Sequence, residues 1–312
     1  MRKLSHERKC MVFIGDSLMA QTFNAFLNEF AREASLRNIT ERPHRLQIEM
    51  KEPYETLKST RLFEVYKWRN ASILRFTHSH HDDLEVNSSK QFILDTIDAE
   101  CITSAVVSRR GTGGGGAVVV GNIGLHIDSL PVVELADRMN RFISFLGKDL
   151  RKLATNRQQQ QQQHEVAVQV AFMETLPQHF DSVDGSYRLW KYANIKNDNI
   201  YERNLNKIPN SWDPQHPLYH CRVVDSAKKS ITSSIAHFII HKNSGEEEDP
   251  STRIGYIETF KYFNAFPLMH YGYCQEDIRS VLQDCTHICA FAPPMWMPIW
   301  SQLEKFISSR KA

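Results

Sequence analysis

Two things are scarce in this 312-residue chain: charge of one sign and long apolar runs. Its 38 Lys and Arg stand against 36 Asp and Glu, a net charge of +2. That balance leaves no electrostatic footprint for a nucleic-acid backbone or an anionic membrane, so nucleic acid is not an expected partner. No apolar stretch approaches the roughly 18 residues of a membrane span; clean runs such as Ala117–Val120 are far shorter. No segment is expected to cross a bilayer. No signal core is expected within these first residues either. Met1–Cys10 is basic and polar, and the apolar Met11–Ile14 stops at Gly15-Asp16-Ser17, too soon for a signal core. On these residues alone the protein is cytosolic, or a targeting segment lies upstream.

What is present is ordinary globular material, 41% hydrophobic and 24% charged, enough for a large core and far from a disordered composition. The length allows two domains, but a single α/β domain over 1–312 is the expectation. Three low-complexity loops interrupt it, at 109–116, 156–164 and 243–251. The first holds a formal G-x-G-x-x-G at Gly111, Gly113 and Gly116. A dinucleotide site needs that loop after a strand and before a helix, whereas here it precedes a strand, and no Lys-Ser/Thr follows it as in a phosphate-binding loop. Both nucleotide readings are rejected.

Between the loops, short β-rich runs alternate with helical periods, as in a parallel sheet covered by helices. Strands are expected at Met11–Ile14, Ser72–Phe76, Ala117–Gly121, Val166–Phe172 and Ile254–Thr259. Met19, Phe23, Phe26, Leu27 and Phe30 recur at three-and-four spacing and mark one helix face. Further helical periods run over Val133–Leu150 and Trp300–Ser308. The expected fold is a three-layer α/β/α sandwich around a central, mostly parallel sheet. Ligands in such folds bind beyond the carboxyl ends of the strands, so the residues just after each strand are the candidates for chemistry.

After the first strand comes Gly15-Asp16-Ser17-Leu18. A serine at a helix N-terminus has unpaired N–H groups and the helix dipole beside it, both able to stabilise an oxyanion; the alternative is that Ser17 merely caps the helix. A serine nucleophile needs a base, and the base an orienting group. Asp284 and His287, three residues apart, can enter one site together. A rival reading makes Cys285, His287 and Cys289 zinc ligands, but the usual C-x2-C pairing is lacking, and no metal is expected. Asn122 follows the Val118–Val120 strand, where its amide could donate to the oxyanion; alone it would read as a turn residue. The serine, asparagine and Asp-x-x-His in that order carry more weight together than any one of them.

The blocks Val12–Met19, Val120–His126, Glu174–Phe180 and Asp284–Cys289 resemble the PC-esterase branch of the GDSL/SGNH hydrolases, which includes the trichome birefringence-like polysaccharide O-acetyltransferases. The resemblance covers nearly the whole chain and implies an SGNH-like fold, with Ser17, Asp284 and His287 as triad and Ser17 N–H with Asn122 as oxyanion hole. It implies O-acetyl transfer to a polysaccharide or glycan through an acetyl-serine, or hydrolysis of a carbohydrate O-acetyl ester. The partners would be a carbohydrate acceptor or acetylated glycan and an acyl donor such as acetyl-CoA or another acetyl ester. It also implies disulfides between the cysteines flanking the histidine and upstream cysteines, Cys221 with Cys285 being the pair chosen, and hence a secretory, Golgi-lumenal or extracellular location. Related sequences carry arginine where this chain has Met173, which leaves a catalytically silent carbohydrate-binding protein as a third reading.

Other features have plain alternatives. His126 and His179 could line a substrate cleft or be structural. The loop His78-Ser79-His80-His81-Asp82-Asp83 reads as solvated rather than metal-binding. Trp296 and Trp300 could form a sugar platform, but core packing is the preferred use. The six cysteines permit fifteen connectivities and prove none. Sequons at Asn38, Asn70 and Asn87 are no more than chance supplies.

Overall fold

The computed structural model describes residues 9–36, 44–46, 63–68, 71–77, 87–103, 116–124, 130–153, 155, 167–179, 231–243, 253–265 and 293–309. In chain order the elements are β1 (Lys9–Gly15), α1 (Ser17–Leu36), β2 (His44–Leu46), β3 (Phe63–Trp68), β4 (Ala71–Thr77) and α2 (Asn87–Ile97, continued by a π-helical turn). They are followed by β5 (Gly116–Gly121), α3 (Val132–Ser144, also running into a π-helical turn), β6 (Ala167–Met173), α4 (Ile231–Asn243), β7 (Gly255–Ile257), α5 (Phe260–Phe263) and α6 (Pro293–Ser309). The seven strands lie in the order β2-β3-β4-β1-β5-β6-β7. From β4 to β7 every neighbouring pair is parallel, while β2 and β3 form an antiparallel edge.

The central strands are apolar on both faces because helices cover both. Cys10, Val12 and Ile14 of β1 and Ala117 and Val119 of β5 pack with Ile93 and Ile97 of α2, Leu135, Met139 and Phe142 of α3, and Ile239 and Ile240 of α4. The alternate residues Met11, Phe13, Val118 and Val120 pack with Leu18, Met19, Phe23 and Phe26 of α1 and with Trp296, Ile299, Trp300 and Leu303 of α6. The period of two along each strand thus feeds two cores, which is why β1 and β5 read as unbroken hydrophobic runs. These are the three layers of an α/β/α sandwich.

Trp296 and Trp300 are stacked on each other and meet Phe263 and Phe26 edge-on. They are core, not a sugar platform. Two boundaries differ from the sequence reading. The last helix begins at Pro293 rather than near Trp300, since proline is compatible with a first helical turn. The last strand is only Gly255–Ile257, because the following residues leave the sheet to start α5. Gly116, placed in the first loop, opens β5 instead.

Cys10 and Cys101 form a disulfide with Cα atoms 5.2 Å apart, tying the start of β1 to the turn after α2. Cys221 and Cys285 lie outside the described residues. Among the described residues no helix is long and apolar enough to cross a membrane.

Candidate functional site

Among its five parallel strands the sheet has the doubly wound order 2-1-3-4-5, with β1 flanked by β4 on one side and β5 on the other. The chain leaves β1 towards one edge and later returns past it to the other. A crevice opens beyond the carboxyl ends of two strands where the winding reverses in this way, here β1 and β5. Asp16 and Ser17 follow β1, and Asn122 follows β5. Both residues thus follow strands that flank the switch point, where the Asn122 N–H donates to the Ile14 carbonyl at 2.9 Å and ties the two strand ends together.

Local chemistry fixes both loops. The Asp16 carboxylate accepts the Leu18 N–H at 3.0 Å, the bond an N-cap residue makes to the second helical residue. Asp16 thus caps α1 and is itself buried, while Ser17 is the first helical residue and stays partly exposed. The sequence had offered capping as the alternative use of Ser17; Asp16 supplies it. Gly15 is required by a close approach, since a Cβ there would lie 2.5 Å from the Asn122 carbonyl oxygen and 2.7 Å from Met19 Cβ. Gly124 is confined in the same way by Thr175, whose hydroxyl occupies the place of a Cβ. The glycines of both motifs serve to bring three loops together.

Asn122 is fully buried. Its amide nitrogen donates to the Met173 carbonyl at 2.9 Å and reaches Thr175 Oγ1 at 3.5 Å, so it links the ends of β5 and β6. Among the described residues its Oδ1 is buried without a hydrogen-bond partner. Met173 is buried in the layer beneath α1, its sulfur 3.9 Å from the Thr22 hydroxyl. In this chain that side chain packs the core and does not face the crevice.

Next to the crevice, the ends of β6 and β7 form a closed polar corner. Glu174 is buried, and its Oε2 accepts the Thr259 and Phe260 N–H groups, each at 2.9 Å. The Thr259 hydroxyl bonds back to the carbonyls of Glu174 and Thr175. Burial, and then the charge and hydrogen bonding of Glu174, push the Tyr256 phenol well above its ordinary range. His179 is also fully buried, 3.3 Å from Asn264 Oδ1. Desolvation pulls its pKa down to about 4 against the opposing effect of Asn264, so its imidazole is neutral at pH 7. His179 belongs to this corner and not to an open cleft.

The sequence reading missed the corner. Glu174 stood inside a recognised block without a role, Thr259 was given to a strand, and nothing local marks Asn264 as the partner of a histidine 85 positions away. Asp284, His287, His126 and Cys289 lie outside the described residues, as do His78–Asp83. Among the described residues no group of three or more His, Cys, Asp or Glu could hold a metal ion.

Fold and site together define a doubly wound α/β protein with a serine at its topological switch point. Comparison of the chain with protein-family models and with curated protein sequences finds no match.

Proposed function

We propose that the protein is a serine-dependent O-acetyltransferase of SGNH type acting on a polysaccharide or glycan. The observation that carries this reading is the place of Ser17. It is partly exposed, on the first turn of α1 and at the β1/β5 switch point, with the capping duty taken by Asp16. The resemblance of the Asp284–Cys289 block supplies the remaining groups.

In this scheme His287, oriented by Asp284, takes the Ser17 hydroxyl proton as the oxygen attacks the acetyl carbonyl of the donor. The Ser17 N–H and the Asn122 amide stabilise the tetrahedral oxyanion. To do so Asn122 gives up its longer contact, the one with Thr175 Oγ1, and keeps the shorter bond to Met173. Collapse expels the donor's leaving group, which takes the proton from His287, and leaves an acetyl-serine. A carbohydrate hydroxyl then attacks the ester carbonyl, passing its proton to His287, and the proton returns to Ser17 as the acetylated product leaves. With water as acceptor the same steps give an esterase. The disulfide between Cys10 and Cys101 supports an oxidising compartment such as the secretory lumen.

A second reading, a catalytically silent carbohydrate-binding protein, is favoured by the core position of Met173 and by the engaged, buried amide of Asn122. Incubation with an activated acetyl ester separates the three. An acetyl adduct on the Ser17 peptide, absent in Ser17→Ala and discharged faster by oligosaccharide than by buffer, is the transferase result. Discharge at the same rate by both is the esterase result. No adduct and no turnover overturns the enzymatic reading.

A further inference from the structure

Away from the switch point, the solvent face of α4 carries His237 and His241, four residues apart and both exposed. Their Nε2 atoms lie 3.0 Å from each other, with ring centroids 4.2 Å apart. The opposite face of the helix is held in place by buried Thr232, Ala236, Ile239 and Ile240. The His237 ring also meets Tyr256 of β7 edge-on at 5.1 Å, so one imidazole is fixed against the sheet.

We infer that His237 and His241 form a bidentate site for a divalent transition-metal cation, with copper(II) or nickel(II) the best fit. Histidines at i and i+4 on one helix face are a recurrent chelating pair, since one turn brings both ring nitrogens to the same point in space. The separation is short enough for one cation to bridge both nitrogens. At the usual metal–imidazole distance of about 2.0–2.1 Å, two nitrogens 3.0 Å apart subtend about 95° at the metal. That is the cis angle of a square-planar or octahedral centre, whereas a tetrahedral centre would need about 3.4 Å. Square-planar and tetragonal sites with nitrogen ligands take copper(II) and nickel(II), and copper stands at the top of the divalent affinity order.

The helix adds a second term. His241 lies in the last turn of α4, where the partial negative charge of the helix C-terminus favours a cation. His237 and His241 supply two protein ligands from this exposed face. Binding replaces the contact between the two imidazoles with two metal bonds and clamps the last turns of α4.

Calorimetric titration of the full chain with copper(II) and with zinc(II) tests the site. The expected result is one equivalent of copper(II) bound more tightly than zinc(II), and at least tenfold weaker binding in His237→Ala and in His241→Ala. Phe238→Ala, which changes an exposed neighbour on the same helix, should bind as the parent does. In the parent, substoichiometric copper(II) should selectively broaden the imidazole NMR signals that vanish in the two histidine variants. Copper affinity unchanged in both histidine variants, broadening confined to other histidines, or the absence of stoichiometric binding overturns the site.

Discussion

Two neighbouring corners of the same sheet edge use polar residues in opposite ways. Beyond β6 and β7, Glu174, Thr175, His179, Thr259 and Asn264 are all buried, and hydrogen bonds tie them to one another and to backbone. Beyond β1, the buried carboxylate of Asp16 serves the helix, and the next residue, Ser17, remains partly exposed. A charged group enclosed by N–H donors is a structural member whose removal leaves those donors unpaired. A hydroxyl on the first turn of a helix, partly exposed and relieved of the capping duty, is the group on which the proposed chemistry rests. Burial, more than residue type, separates the two corners: the acid and histidine in the corner look more catalytic by composition, yet they are the sealed ones.

The sharpest way to break this contrast is to exchange the costs. Ser17→Ala should lower acetyl transfer and ester hydrolysis by about 10⁴-fold or more, as loss of an acyl-enzyme nucleophile does. Because Ser17 is partly exposed and Asp16 keeps the cap, urea denaturation of this variant should match the parent within about 0.5 kcal/mol. Glu174→Ala should behave in the reverse manner. It strips the acceptor from two buried N–H groups, and charge-assisted bonds contribute about 1.5–3 kcal/mol each, so a loss of about 4 kcal/mol is expected. Glu174→Gln, which keeps one acceptor oxygen, should lose less. If Glu174→Gln abolished turnover at unchanged stability, the corner would be part of the chemistry and the comparison would fall.

The sequence already carried most of the sheet. Strands buried on both faces, such as β1 and β5, announce themselves as continuous apolar runs, and α1 by its three-and-four spacing of Met19, Phe23 and Phe26. The antiparallel pair β2 and β3 escaped, since β3 reads Phe-Glu-Val-Tyr-Lys-Trp and alternates like any half-exposed segment. Helices α2 and α4 escaped as well. Ile231–Asn243 mixes Ser, Thr and His into its faces, which weakens the period on which recognition depends. The strand-then-serine and strand-then-asparagine patterns did place both residues at the carboxyl edge of the sheet. They could not reveal that the Asn122 amide donates to Met173 O, because a carbonyl 51 residues away has no sequence signature.

A third test concerns the strand that delivers the serine. The Cys10–Cys101 bridge closes a separation of 91 residues and anchors the start of β1. Native disulfides of this kind contribute about 2–4 kcal/mol, chiefly by restricting the unfolded chain. Cys10→Ser with Cys101→Ser should lower stability by that amount in urea denaturation under non-reducing conditions. If Ser17 is held by its own loop contacts at Gly15 and Asn122, the folded double variant should retain the kcat of the parent. A large fall in kcat without a fall in stability would show that the bridge, and not the loop, positions the nucleophile.

The smallest effect separates the corners by pH. His179 is neutral in the folded protein, its pKa lowered from 6.5 to about 4 by burial. Protonation therefore favours the unfolded chain, which binds the proton from pH 6.5 downward while the folded form resists until about 4. The stability contributed by the neutral imidazole is complete above pH 6.5 and is lost as pH falls towards 4. Linkage with these two values gives a loss of about 2 kcal/mol between about pH 7 and pH 5. Urea denaturation across that range should show the slope in the parent, and the slope should diminish in His179→Gln, which can still hydrogen-bond to Asn264. If the proposed triad carries the chemistry, the His179→Gln variant should keep the parent's pH–rate profile within the folded range. A profile that shifted with His179 would place the buried imidazole in the proton path and join the two corners into one site.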